Sequence, residues 1–467
     1  MSWTVRIAFI LLLVILLFSH IGCACCAEEP PCFCPPDILV EPQKATLKIG
    51  EKVSLTSWEA ACIVGTPEEG PHCTKKRELK ERVIWHSTNP SVSIIDSFGV
   101  ASALAPGRTK IGASFDTRGL NTCLCTRMAN MISAPPARLF IYERTDVSLG
   151  TGLEKAPWDV DIHPTKGIAL VSLPMGDSVQ EVILPSGGLS TALPLTAGSF
   201  PQGIAISPTS NRAVVANRFS DTVSIIDLTA SPVVTSSLSL PPGSGPIAGA
   251  FSPTGGVAIV ASYDTGRLSF IDVMAEPPQE RAWVGVGPSP TGLAISPAGN
   301  AALVLRQENA LTIVPLDTIG DVVTVSVSGE SGLFGLAVDR TNGLAYLTHW
   351  GSLSTPGSSV SIMDLNVFPP ELLATIKAEE GPFDVAIHEE SGIAVVGNLG
   401  GAAPGTSISL IEKQKYPYYP YGTGFTITAS IPVGKGPTGL AILSGTNLAV
   451  VANSGDNSLS LIRLPLP

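Results

Sequence analysis

Apart from one unbroken apolar run at residues 7–18, the hydrophobic positions of this chain fall in short groups that stop at Gly, Pro, Asn, Asp or Ser. Thr222-Val223-Ser224-Ile225-Ile226-Asp227 and Leu268-Ser269-Phe270-Ile271-Asp272 show the form: branched and aromatic side chains over a strand's length, then a polar turn. Such runs predict antiparallel strands rather than helices. The 46 Gly and 40 Pro spread along 467 residues agree, because tight turns between short strands need both. The expectation is an all-β chain long enough for more than one domain.

From residue 157 the pattern repeats. Pro157-Trp158-Asp159-Val160-Asp161-Ile162-His163-Pro164 returns as Pro201-Gln202-Gly203-Ile204-Ala205-Ile206-Ser207-Pro208, and again from Pro246, Pro290, Leu333, Pro382 and Pro437. Successive starts are 44, 45, 44, 43, 49 and 55 residues apart. Twelve residues after each start stands an alanine: Ala169, Ala213, Ala258, Ala302, Ala345, Ala394 and Ala449. Four strands in a unit of this length make one propeller blade, so seven blades are expected. The last unit is one strand short, and Thr145-Asp146-Val147-Ser148-Leu149-Gly150 upstream matches the missing strand. Closing the ring with it would leave no open sheet edge. Val214-Val215-Ala216-Asn217 and Val450-Val451-Ala452-Asn453 make residues 144–467 resemble the YVTN family of β-propeller repeats, found in exported and surface proteins.

The segment before the repeats also reads as strands. Ile49-Gly50-Glu51, Trp85-His86-Ser87-Thr88-Asn89-Pro90-Ser91-Val92, Gly99-Val100-Ala101-Ser102-Ala103 and Ala105-Pro106-Gly107 occur in order. Residues 37–143 thereby resemble the bacterial Ig-like domain of group 2, which implies a small β-sandwich with Trp85 in its core and His86 on the outer face. The charged stretch from Lys75 to Arg82 lies in an insertion relative to that family and is expected to be a solvated loop.

Arg6, the apolar run and the small residues before Glu28 have the order of a secretory signal, giving domains at 1–27, 28–143 and 144–467. Ile21-Gly22-Cys23 resembles the end of a lipoprotein box with Cys23 as the lipidation candidate, although His20 stands where Leu is usual. Cleavage after Ala27 and an uncleaved anchor are the alternatives. All nine cysteines precede residue 126. Cys32, Cys34, Cys62, Cys73, Cys123 and Cys125 remain after Ala27 and read as three disulfides in an oxidising compartment. The spacing suggests Cys62 with Cys73 and the Cys32/Cys34 pair with the Cys123/Cys125 pair, and a four-thiolate zinc site from the two C-x-C pairs is the alternative.

A net charge of −11 and the lack of a basic stripe exclude a nucleic-acid surface. The residues after each second strand form a column: Leu173, Asn217, Ser262, Arg306, His349, Asn398 and Asn453. Tyr263 with Asp264, Arg306 with Glu308, and His349 with Trp350 depart from it with richer chemistry, and are the ligand-binding candidates at the channel mouth. Asp159 and Asp384 replace Gly at the third anchor position and are read as stabilising turns, with lining the channel as the alternative. Tyr416, Tyr418, Tyr419 and Tyr421 form a Tyr/Pro segment suited to sugar or protein contact, or to packing on the first domain.

The enzyme templates fail on residue counts. No C-x-x-C-H, no G-x-S-x-G and no histidine cluster occurs in the repeats. The reading is a non-catalytic, exported cell-envelope binding or scaffold protein, placed in the periplasm, at the outer membrane or on the cell surface. It needs no cofactor and no metal. It is monomeric, meets a cell-envelope protein or glycan, and touches the membrane only through an N-terminal lipid or anchor. The alternative is a propeller enzyme, a lactonase-like hydrolase or an oxidoreductase, working at the channel mouth.

Overall fold

The computed structural model describes residues 37–63, 72–79, 83–116, 131–133 and 137–466, except 43, 230 and 414–423. It divides into two compact units, one ending at Ile141 and one beginning at Tyr142.

The first unit is built from antiparallel strands in three sheets. Gly107–Asp116 pairs with Val83–Ser87, with Met131–Ser133 and with the first half of Ala137–Ser148. Lys52–Ser54, Val100–Ala103 and Ser93–Ile95 form a second sheet. Leu55, Ala101, Ile111, Ala113 and Leu139 are the core, and Trp85 packs against them while His86, one residue on, is exposed. That alternation is the pleat of a strand with one buried face.

The expected charged loop is partly strand. His72–Leu79 carries Lys75, Lys76, Arg77 and Glu78 and pairs with Thr56–Ile63, which pairs in turn with Asp37–Glu41. Cross-strand hydrogen bonding satisfies that backbone, and the sequence His72–Leu79 has no alternating apolar pattern, so hydrophobic patterning carried no sign of it. In this register Cys62 lies directly opposite Cys73.

The second unit holds seven antiparallel sheets in sequence order. Their innermost strands are Val160–Ile162, Pro201–Ile206, Pro246–Phe251, Pro290–Ile295, Leu333–Asp339, Pro382–His388 and Pro437–Ile442. Each lies beside the next, and Val160–Ile162 lies beside both Pro201–Ile206 and Pro437–Ile442. The seventh sheet takes its outer strand from upstream: residues 143–148 pair with Ser458–Arg463, from Glu143 opposite Arg463 to Ser148 opposite Ser458.

Apolar side chains fill the spaces between consecutive sheets. Val214, Ala216, Val223 and Ile225 of the second meet Phe251, Ala258, Val260 and Ile271 of the third. The repeated alanine sits in each second strand and is 0% exposed in all seven sheets. A sheet covered on both faces leaves that position no room for more than a methyl group.

Candidate functional site

A register shift marks the start of the inner strand in six of the seven sheets, between Pro201 and Ile204, for example, and between Pro382 and Asp384. Such a bulge re-aims the residues around it. The inner strands of all seven sheets surround an axial cavity of about 620 Å³. Its wall includes Trp158, Phe334 and Phe383 from the second anchor position, and Asp159, Gly203, Gly292, Gly335 and Asp384 from the third. The fifth position adds Asp161, Ala205, Ala250 and Ala294.

Glycine at the third position has a steric cause. A Cβ at Gly203 would run into the carbonyl of Ile247, and one at Gly439 into the backbone of Trp158 and Asp159. Asp159 and Asp384 each precede a sheet that carries Gly there, at Gly203 and Gly439. Each reaches across to the next sheet. Ile204 N–H donates to Asp159 Oδ2 at 2.9 Å, and Leu440 N–H to Asp384 Oδ2 at 2.8 Å. Val160 N–H donates to Asp159 Oδ1 at 2.8 Å. Asp161 repeats the arrangement two residues on, accepting from Ile206 N–H and Ile162 N–H, both at 2.7 Å.

Asp159 and Asp384 therefore do more than stabilise turns, and the channel-lining alternative that the sequence left open describes them better. They tie neighbouring sheets and put carboxyl groups in the cavity wall. Burial raises the pKa of Asp384 to about 7 and that of Asp161 to about 6. Burial, then the charge of Asp384, hold Asp159 well above the usual carboxylate range. The backbone N–H donors work the other way in all three but do not offset burial.

Aromatic rings gather at the Asp159/Asp384 side. Phe334 stacks on Phe383 with centroids 3.9 Å apart, and Trp158 meets Phe383 edge-on at 5.7 Å. Trp350 closes on both, at 5.6 Å from Phe334 and 5.4 Å from Phe383. Gln202 holds the same anchor position in the second sheet, is 4% exposed, and its Oε1 has no hydrogen-bond partner.

Of the six ligand-binding candidates, only Trp350 joins this cluster. His349 is fully buried inside the fifth sheet, its Nδ1 2.5 Å from the Glu330 carbonyl oxygen and its Nε2 2.7 Å from Ser361 Oγ. Burial pulls its pKa below the usual histidine value. With both nitrogens engaged it presents nothing to a ligand, which corrects the expectation that it faces the channel mouth. Tyr263 donates to Gln307 Oε1 at 2.7 Å and lies under the Arg218 guanidinium, 4.7 Å from its ring centre. Arg218 also approaches exposed Asp264 at 4.0 Å. Arg306 ends its strand opposite Ala310, and Glu308 lies in the exposed turn between them. Thus Tyr263 and Asp264 bridge sheets two to four at the rim, apart from the aromatic cluster.

His163 and His388 are buried at inner-strand turns. His163 Nε2 meets Asn211 Oδ1 at 3.1 Å, and His388 Nε2 meets the Thr446 carbonyl oxygen at 3.1 Å, each in the following sheet. Tyr416, Tyr418, Tyr419 and Tyr421 lie outside the described residues, as do Cys23, Cys32, Cys34, Cys123 and Cys125. Among the described residues no group of three or more His, Cys, Asp and Glu is placed to hold a metal ion.

No protein-family model and no curated protein matches the chain. Solved structures do. The β-propeller domain of Cps50 (Swd1) from Myceliophteria thermophila is similar over 68% of this chain and 99% of its own, at 9% identity and a TM-score of 0.53. The unit is a β-propeller. Hydrazine synthase of Kuenenia stuttgartiensis matches at 15% identity and a TM-score of 0.56, covering 67% of this chain and 97% of its own. Virginiamycin B lyase of Staphylococcus aureus matches at 13% identity and a TM-score of 0.55, over 69% and 99%. At such identities the likeness concerns the propeller fold, and a fold hosts many functions.

Proposed function

We propose that this chain is an exported cell-envelope binding protein, in which an Ig-like domain precedes a seven-bladed YVTN-type propeller that recognises its ligand at the axial cavity. The seven sheets, their neighbouring inner strands and the upstream strand paired with Ser458–Arg463 support the blade count. The observation that carries the functional reading is the cavity wall. It combines stacked aromatic rings with carboxyl groups clamped by N–H donors of the next sheet, an arrangement that holds a ligand without a nucleophile beside a free base. All three propeller histidines are engaged in structural hydrogen bonds, which removes the commonest acid–base group from the site. The apolar run at residues 7–18 and the clustered cysteines support export.

The test pairs tryptophan fluorescence titration of the exported protein with mass analysis of each ligand after incubation. A ligand that saturates, depends on Trp158 and is recovered unchanged fits the reading. Product accumulating beyond one equivalent would replace it with a propeller enzyme, a lactonase-like hydrolase or an oxidoreductase. Asp384 favours that second reading, since a carboxyl titrating near neutrality in a cavity is a property of acid–base catalysts. Intact mass of the envelope-derived protein decides the N-terminus: a diacylglycerol-sized increment on Cys23, or a start at Glu28.

A further inference from the structure

We propose that the aromatic end of the axial cavity binds an organic cation, an alkylammonium or guanidinium group, with Asp159 and Asp384 as its counter-charges. This rests on the binding reading above and names the ligand class. Four observations carry it.

First, the rings are of the right kind. Trp158, Phe334 and Phe383 line the cavity, and the faces of such rings attract cations at centroid distances up to about 6 Å. Second, the cavity carboxyl groups have acceptor capacity to spare, while Trp350 Nε1–H in the aromatic cluster is a buried donor without an acceptor. The Asp159 oxygens and Asp384 Oδ2 are used by single backbone N–H groups, whereas a carboxylate can accept about four hydrogen bonds. Gln202 Oε1, in the same ring of positions as Trp158, is a buried acceptor with no donor at all. Ammonium and guanidinium groups carry donors only, so they complement this set.

Third, the charge is not already matched. Arg340 is the one Lys or Arg among the described residues lining the cavity, and it follows the end of Leu333–Asp339 opposite to Phe334. There it interacts with Glu389. Fourth, an inorganic ion is a poor fit, because the acids do not converge as a metal-holding group among the described residues. The cavity of about 620 Å³, with small alanines at the fifth position of its wall, leaves the space for an organic group.

A cation entering this site favours the ionised carboxylates, so it competes with the protons that burial keeps on them. Tight binding at alkaline pH, weak binding at acid pH and proton release on binding follow together.

The experiment titrates the exported full-length protein with arginine, cadaverine and an N-acetylated, C-amidated Gly-Lys-Gly peptide, with glucose and acetamide as neutral probes. Calorimetry in two buffers of different ionisation heat counts the protons. The expected result is cation binding that strengthens about tenfold or more from about pH 5 to about pH 8. It releases protons and weakens at least about tenfold in both Asp159→Asn and Trp158→Leu. Thermal melts of each variant check folding, and Asp384→Asn gives a second isosteric test at the other carboxyl. Preference for the free amines or for the peptide identifies the source of the cation and supports the site either way. Glucose binding that depends on Trp158, with no cation bound at about 10 mM, overturns the cation site and leaves the binding reading intact. Cation binding indifferent to pH and to both Asn variants overturns it too. Turnover of any probe overturns the binding reading itself.

Discussion

His349 Nε2 lies 2.7 Å from Ser361 Oγ, and that contact stands where three other sheets use asparagine. Asn217 Nδ2 donates to Ser224 Oγ at 2.8 Å, Asn398 Nδ2 to Ser409 Oγ at 3.0 Å and Asn453 Nδ2 to Ser460 Oγ at 3.0 Å. In each case a residue at or near the end of the second strand clamps a hydroxyl in the third. His349 is thus a fifth-sheet version of a clamp, with a second bond to the Glu330 carbonyl.

The clamp predicts an asymmetry between substitutions. His349→Asn keeps a hydrogen-bond partner for Ser361 with the donor role reversed, gives up the bond to the Glu330 carbonyl, and is expected to cost less than removal of the side chain. His349→Ala leaves Ser361 and the Glu330 carbonyl short of a partner and is expected to cost about 1–3 kcal/mol. Urea unfolding followed by circular dichroism measures both. Ligand binding at the axial cavity is expected to be unchanged in His349→Asn, and its loss there would return His349 to the binding site.

The cavity acids make stability depend on pH. Asp384 has a pKa of about 7 in the folded protein against 3.8 as the unperturbed value, and Asp159 is raised as well. Across that window the native state keeps protons that the unfolded chain has lost, so the acids favour the fold most at the acid end. That contribution drains away as pH rises through the folded values. Melting temperature is expected to fall between about pH 4 and pH 7 by more than in Asp159→Asn/Asp384→Asn, whose profile is flatter. Parallel profiles would show that the carboxyls are ionised throughout.

Overpacking tests the interior of the sheets. Ala302 is 0% exposed in the fourth sheet and shares one core cluster with Val304 and Val314 of that sheet and with Ile259 and Phe270 of the third. Ala302→Leu is expected to destabilise the propeller by about 1–3 kcal/mol, as added methylenes force their neighbours off their rotamers. A melting temperature equal to that of the parent would mean that the sheets separate more easily than their packing suggests.

The upstream strand is expected to hold the propeller together. Protein beginning at residue 142 keeps the pairing of residues 143–148 with Ser458–Arg463, and protein beginning at residue 150 exposes that edge. The shorter form is expected to melt lower and to aggregate, which light scattering during a thermal ramp detects. Equal behaviour would remove any closing role from the strand.

In the first unit, Cys62 opposite Cys73 suits a cross-strand disulfide, because directly opposed residues have Cα atoms about 4.5–5.5 Å apart. Non-reducing peptide mapping of the exported protein is expected to recover the two cysteines in one linked peptide. Free thiols at both positions would contradict the pairing.

The strands, the sevenfold repeat and the recurrence of its alanine were legible in the sequence because each is a local requirement imposed again in every unit. A strand covered on both faces must be apolar, and a fixed sheet spacing accepts only a methyl group at Ala169, Ala213 and their equivalents. The upstream strand was legible for the same reason, since the count came out one strand short. His72–Leu79 was not, because its sequence carries no hydrophobic period, and only the pairing with Thr56–Ile63 shows it as a strand. The axial site was legible only as the alternative that Asp159 and Asp384 line a channel. Asp159 and Asp384 belong to sheets far apart in the chain, and only the arrangement of inner strands brings them to one cavity with Trp158, Phe334 and Phe383. The sequence showed His349 as a rich side chain among asparagines, and tertiary burial made it a clamp. Local patterning determined which segments pair. The meeting of distant segments around an axis decided which carboxyl groups lose their water, and so where the chemistry lies.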